Sequence, residues 1–344
     1  MLEPRTSMSR GIAAPVALLD RWNALTASNV NSVVLGFSKD PNAKVTVLLF
    51  WPGSEAPWAV AKLPTTPVAR SAIERESTFL TEIHQQFSGD VLRTIPRRLT
   101  AFEAGMPPGA MVAQAFGGTS LSLLYSRRRH LQSSLVVGRD IAWAGGWLRD
   151  LETATVQSVG PVGLGDEILD SLLDRNRRDA VTTRVSNALA PFAKLFRTFQ
   201  GPKTVVHGDF WLGNVLVGDA GVTAVIDWES AQICGEPLRD VARFALTYAL
   251  YLDRRTRAGR RIAGHDVKAG EWGAGVTYLM TGSGWFPQII RGFVCQSMAR
   301  LGVDPASWPA LLLFGLADVA ATADDDAWAY RHLVLLDRLK GLAS

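Results

Sequence analysis

The sequence predicts an α+β chain of two lobes, the first built on short strands and the second mainly helical. Three observations lead there. Apolar runs of strand length, punctuated by turn residues, crowd the part before residue 117. A hairpin with polar residues at its open end follows within Val205–Arg243, and beyond Asp240 apolar residues recur at helical spacing. With 344 residues, 47% of them hydrophobic and 20% charged, the chain can bury a core of ordinary size.

In chain order, Ser32–Ser38 (SVVLGFS), Lys44–Trp51 (KVTVLLFW) and Pro57–Leu63 (PWAVAKL) read as the first three strands. Lys62 stands inside the third run, where a charge needs a partner. Val68–Gln86 follows as a helix with the stripe Ile73, Phe79, Leu80 and Ile83, and with Glu74 and Glu76 near its centre. Ala110–Phe116 (AMVAQAF) reads as a further strand that closes a first lobe at 1–116, leaving 117–344 as the second. Val137–Thr153 and residues 166–200 read as helical, as do Val241–Leu252, Phe286–Leu301, Ser307–Ala321 and Asp326–Leu342. The stretch Asp253–Trp285 is rich in Arg and Gly and holds Trp272 and Trp285, whose flat faces suit either a sugar ring or the core.

The chemistry concentrates between Val205 and Glu229. Val215–Val217 and Val222–Ile226 flank a Gly218–Gly221 turn, so strand pairing brings Asn214 and Asp227 side by side. Asp209 lies in the loop entering the first of those strands. Asn214 and Asp227 offer hard oxygens to Mg²⁺, and Asp209 is a carboxylate that can take a proton from a hydroxyl. Such equipment suits phosphoryl transfer, where catalysis is mostly positioning and charge neutralisation. Each piece alone is ordinary, since a His-x-Asp turn or a polar strand end occurs in many folds. The conjunction at this spacing carries the reading.

The order Asp209, Asn214, Asp227 follows the kinase pattern of catalytic Asp, metal-binding Asn and metal-binding Asp. Here His207-Gly208-Asp209 replaces His-Arg-Asp, Asp227-Trp228-Glu229 replaces Asp-Phe-Gly, and no Ala-Pro-Glu follows. With Glu236-Pro237-Leu238-Arg239-Asp240 behind it, the segment closely resembles the aminoglycoside phosphotransferase and choline kinase-like family of small-molecule kinases. The resemblance implies a two-lobed protein-kinase-like fold, with a small N-terminal antiparallel sheet lobe and a larger, mainly helical C-terminal lobe. It assigns catalysis to Asp209, Asn214 and His207, the last supporting the loop by hydrogen bonding, and Mg²⁺ to Asn214 and Asp227. Asp240 would support the same loop. Lys62 becomes the phosphate-contacting lysine with Glu76 as its partner, Glu74 being the fallback. Gln114, Ala115 and Phe116 become the hinge whose backbone meets the nucleotide base. Ser38 falls in the phosphate-covering turn, which here has one Gly in place of the full Gly-rich motif. ATP is the implied donor, with GTP left open.

The motif does not name the acceptor. Arg254, Arg255, Arg257, Arg260 and Arg261 crowd where the family places acceptor elements, whereas a polycationic aminoglycoside needs carboxylates there. A neutral or anionic, carbohydrate-like hydroxyl compound is therefore expected. The alternatives are a catalytically silent nucleotide binder and an aminoglycoside kinase. A metal-dependent hydrolase using His207, Asp209 and Asp227 would leave Lys62 and Glu76 unexplained. The net charge of +4 is mild and the Arg clusters lack aromatic interleaving, so no nucleic-acid partner is expected. No membrane span is expected from Trp308–Ala323, which is short and interrupted by Asp318. Cys234 and Cys295 form no disulfide framework, and the start MLEPRTSMSRG has no apolar stretch after its charges, so no signal peptide and a cytoplasmic protein are expected.

Overall fold

The computed structural model describes residues 30–37, 42–103, 106–127, 129–176 and 179–343. They divide into two units, one holding the chain through Gln85 together with Pro96–Gly117, the other holding Gln86–Ile95 and the chain from Gly118 onward. Residues 86–95 thus leave the first unit, and Trp147 Nε1 of the second fixes them by donating to Thr94 Oγ1 at 2.8 Å.

The first unit is an antiparallel sheet in the order β1 (Asn31–Phe37), β2 (Lys44–Phe50), β3 (Ala59–Pro64), β4 (Met111–Gln114). Val45, Val47 and Leu49 alternate with less buried neighbours, as do Ala59, Ala61 and Leu63, and these six share one core face with Val112. The two-residue period puts Lys62 on the opposite face, in register with Thr46 and Met111. Helix α1 (Pro67–Gln86) starts with Pro at its first position, and Thr66 Oγ1 caps it by accepting from the Ala69 amide at 3.1 Å. Its buried stripe runs Ala69, Ala72, Ile73, Glu76, Leu80 and Ile83, so one carboxylate sits among apolar neighbours at helical spacing.

The second unit is mainly helical with two small sheets. After β5 (Thr119–Ser120) come α2 (Leu121–Tyr125), α3 (Ser134–Ala154), β6 (Ser158–Pro161), α4 (Leu164–Asn176) and α5 (Ala180–Phe196). Ser133 caps α3 and Asp179 caps α5, each accepting a backbone amide. The helix pair read over 166–200 ends at Phe196, and Gln200, the last residue of that reading, opens strand β7 (Gln200–Val206), which lies between β6 and β10 (Gln232–Gly235). The hairpin β8 (Val215–Gly218) and β9 (Gly221–Val225) pairs with β5. Helices α6 (Leu238–Leu250), α7 (Ala274–Thr281), α8 (Trp285–Arg300), α9 (Trp308–Thr322) and α10 (Asp326–Leu339) complete the unit. Pro305–Thr322 is long and apolar enough to cross a membrane by length and composition, yet most of it is buried among the other helices. It is read as the central core helix.

Two buried titratable groups in this core tilt stability in opposite directions. Glu152 of α3 pairs with Arg300 of α8 (Nη2–Oε2 2.6 Å), but its Oε1 is buried with no hydrogen-bond partner among the described residues. Burial outweighs the Arg300 charge and pushes its carboxyl from 4.5 up to about 7. His332 of α10, bonded to the Trp328 carbonyl, is lowered by burial from 6.5 to about 4. Because the folded value of Glu152 is raised, stability falls as pH rises from about 4.5 to about 7. Because that of His332 is depressed, stability falls as pH drops from 6.5 towards about 4. The two slopes oppose each other where their windows overlap. Glu152→Gln is accordingly expected to unmask the His332 slope, with a melting temperature that rises with pH more steeply than that of the wild type. Thermal unfolding across the overlap checks this, and parallel pH curves for the two proteins would count against it.

Candidate active site

Strand β7 delivers the chain into His207-Gly208-Asp209, and Asp240 in the first turn of α6 holds that loop from beneath. Its carboxylate accepts the His207 amide at 2.7 Å through Oδ2 and the Gly208 amide at 2.9 Å through Oδ1. Asp240 is fully enclosed, so burial pushes its carboxyl up, against the opposing pull of His207 and the two amides. The His207 ring accepts the Asp209 amide at Nδ1 (3.2 Å) and faces the Ile226 carbonyl with Nε2 (3.0 Å), which puts the ring hydrogen on Nε2. Trp228, wholly buried, packs on that ring with centroids 4.5 Å apart. Gly208 has φ +78°, and a Cβ there would lie 2.2 Å from the Ser230 carbonyl oxygen, so the turn requires glycine.

Both oxygens of Asp209 are engaged. Oδ2 faces Asn214 Nδ2 at 3.2 Å, and the same Nδ2 donates to the Asp209 carbonyl at 2.9 Å. Oδ1 accepts Arg243 Nε at 3.0 Å and Nη2 at 2.6 Å. The hairpin register pairs Val215 with Val225, and the Ile226 amide donates to the Asn214 carbonyl at 2.9 Å. Asn214 and the Ile226–Asp227 segment therefore meet at the open end of the hairpin. Asp227 adopts φ +70°, a left-handed backbone that non-glycine residues rarely occupy and that concentrates at functional sites.

Arg243 escaped the sequence reading. It lies three residues after Asp240 on α6, so a helix that aims Asp240 at the loop aims Arg243 there too. That spacing was the available signal. Burial opposes the Arg243 charge, but Asp209, Asp318 and Asp240 outweigh it and raise its pKa, so the guanidinium stays charged beside Asp209.

In the first unit, Lys62 Nζ meets Glu76 Oε1 at 2.8 Å and Oε2 at 2.5 Å, whereas Glu74 is exposed. At the end of β4 the Gln114 amide donates to the Arg97 carbonyl (2.8 Å) and the Ala115 amide to the Trp58 carbonyl (3.1 Å). That leaves Phe116 as the one of the three whose amide has no hydrogen-bond partner among the described residues. Ser38 lies outside the described residues. Trp272 packs edge-on against Trp328 and His332, and Trp285 lies against His265 and Phe286 while its Nε1 bonds the Gly264 carbonyl. Both tryptophans are half-buried, Trp272 packing its loop on α10 and Trp285 packing the start of α8 on the Gly264–His265 loop.

The fold is that of the protein-kinase-like small-molecule kinases, which act on alcohol groups. Residues 54–274, well over half of the 344, match the model of the phosphotransferase enzyme family, and the chain belongs to that family. Among solved structures it is similar to aminoglycoside phosphotransferase APH(4)-Ia, with TM-score 0.56 and 15% identity over 94% of this chain and 99% of that one. A thermostable mutant of that enzyme in ternary complex with AMP-PNP and hygromycin B gives TM-score 0.55 and 16% identity over 93% and 97%. A protein of Ralstonia eutropha JMP134, provisionally assigned as an aminoglycoside phosphotransferase, gives 0.53 and 16% over 95% and 96%. At such identity the likeness speaks to the fold. No curated protein sequence matches the chain significantly.

Proposed function

We propose that the protein transfers the γ-phosphoryl group of ATP to a hydroxyl of a neutral or anionic, carbohydrate-like metabolite, with Mg²⁺ as cofactor, in the cytoplasm. The observation that carries this reading is the fixed carboxylate of Asp209, clamped on one oxygen by Arg243 and on the other by Asn214. A carboxylate held in this way orients an acceptor hydroxyl and accepts its proton late in a loose transition state. His207 and Asp240 keep the loop in shape through the bonds described above.

The donor set fits a magnesium ion. Because Asn214 turns Nδ2 towards Asp209, its Oδ1 is the atom left for a cation, and the Asp227 carboxylate supplies a second hard oxygen. Bound there, Mg²⁺ would neutralise charge on the phosphate oxygens. Lys62, steadied by Glu76, would meet phosphate, and the Phe116 amide is the hinge donor for the base. Similarity to a structure that holds hygromycin B favours a second reading, an aminoglycoside kinase. Measuring ATP consumption with aminoglycosides, sugars, amino alcohols and nucleosides separates the two, and Mg²⁺-ATP that fails to bind would defeat both.

Lys62→Ala is expected to raise the KM for ATP by about ten- to a hundredfold, the range for losing a charge-assisted hydrogen bond. Steady-state kinetics against ATP checks it. An unchanged KM would remove Lys62 from the nucleotide site.

A further inference from the structure

Trp211 follows Asp209 by two residues and lines a cavity of about 360 Å³ in the second unit. Tyr251, just past the end of α6, is a neighbouring wall, its ring 6.4 Å from that of Trp211. Arg127, Arg129, Arg254 and Arg255 also line the cavity, and no carboxylate does so among the described residues. Deeper in the unit arginines are matched by acids, as Arg239 is with Asp318, Arg243 with Asp209 and Arg300 with Glu152, whereas Arg257, Arg260, Arg291 and Arg331 pair with no acid among the described residues. Among the described residues, none of the four cavity arginines has an ion-pair partner. Arg254 is nonetheless placed, its guanidinium 5.3 Å from the centre of the Tyr251 ring, and Arg129 holds a left-handed backbone at φ +69°.

We propose that this cavity holds the acceptor, and that the acceptor is an anionic hydroxyl compound of single-ring size, a sugar acid or a sugar phosphate. The inference rests on the phosphotransferase reading of Asp209. The volume sits at the small end of the roughly 300–1,000 Å³ typical of small-molecule sites, which suits one ring rather than a multi-ring antibiotic. Trp211 and Tyr251 give the lining two aromatic rings, the side chains that pack against the C–H face of a sugar. The unpaired guanidiniums suit a carboxylate or phosphate, which they can engage through two parallel hydrogen bonds. A polycation would meet four like charges in the lining, against which Asp209 and Asp253 act from outside it, through Tyr251 and Tyr125, and this balance selects against aminoglycosides. The cavity also lies within electrostatic reach of the reacting group. Burial raises the Tyr251 phenol, and the Asp209 charge adds to that rise against Arg254 and Arg243.

The test uses the full chain with Mg²⁺-ATP and four probes: glucuronate, glucose 6-phosphate, glucose and kanamycin. ATP consumption gives KM, and quenching of tryptophan fluorescence gives binding where turnover is slow. The expected result is that at least one anionic probe has a KM or Kd lower than that of glucose by about tenfold or more, a single charge-assisted contact sufficing for that, with kanamycin no better than glucose. The response of glucuronate against glucose 6-phosphate tells carboxylate from phosphate. The Arg254→Ala/Arg255→Ala double variant, at exposed positions, should weaken the anionic probe by about ten- to a hundredfold. Its melting temperature and its Kd for Mg²⁺-ATP report that the fold and the nucleotide site are intact. Preference for kanamycin, equal use of glucose and its anionic relatives, an unaffected double variant, or no anionic binding despite bound nucleotide would each overturn the proposal. Wild-type protein that fails to bind Mg²⁺-ATP would instead strike at the phosphotransferase reading itself.

Discussion

Asp209→Asn is expected to lower turnover by about two to four orders of magnitude, the usual scale for lost general-base assistance, while Mg²⁺-ATP still binds. The substitution keeps the side-chain shape and removes the charge that receives the proton. The loop should survive it, because the His207 and Gly208 amides are held by Asp240 and not by Asp209. The new amide has one oxygen for two donors: turned towards Arg243 it leaves Asn214 Nδ2 only the carbonyl of residue 209, and turned towards Asn214 it leaves the guanidinium facing an amide N–H group. Turnover at saturating ATP, set beside the Kd for Mg²⁺-ATP from calorimetry, separates chemistry from binding. Activity within a few-fold of wild type would exclude Asp209 as the base and leave Arg243 as a clamp on a structural carboxylate.

What the sequence made legible follows from the kind of signal each feature leaves. The sheet of the first unit was readable because Val45, Val47 and Leu49 alternate cleanly with less buried neighbours. The β8–β9 hairpin was readable because Gly218 and Gly221 punctuate it. Strands β6 and β10 left no such trace: each is four residues long, and most of their side chains are exposed, so no buried face writes a period into the sequence. Strand β7 has no counterpart in the sequence reading, where the helix pair runs to residue 200, because Gly201 and Pro202 break its own pattern. Arg243 was missed for a different reason. Its partner lies 34 residues upstream in another element, and only the orientation of α6 brings the two together. The cavity around Trp211 was also beyond reach. Sequence drew attention to the arginines after residue 253 and to Trp272 and Trp285, yet the structure joins Arg254 and Arg255 to Arg127, Arg129 and Trp211, from two segments more than 40 residues upstream. Helical spacing finds a face; it does not find which distant segment meets it.

Asp227→Asn is expected to shift activation by Mg²⁺ to concentrations higher by at least about ten- to a hundredfold, the loss typical even of residues that merely support a metal ligand. The choice of Asn over Ala follows from the backbone. At φ +70° an alanine would add the left-handed penalty of roughly 1–2 kcal/mol to any effect on the metal, whereas Asn visits that region readily. The melting temperature of Asp227→Asn should therefore stay close to wild type, with the hairpin still anchored by Trp228, whose Nε1 donates to the Val225 carbonyl at 2.9 Å. Asn214→Ala should move the Mg²⁺ midpoint less, because it removes a neutral oxygen where Asp227→Asn removes a charge. It carries a second effect that Asp227→Asn does not: it releases Asp209 Oδ2 and the Asp209 carbonyl from Asn214 Nδ2, so its turnover at saturating Mg²⁺ should fall as well. Titrating Mg²⁺ against initial rate for the three proteins distinguishes these cases. Coincident midpoints would remove both residues from the metal site, and a deficit in Asp227→Asn that no Mg²⁺ concentration repairs would assign that residue to loop geometry instead.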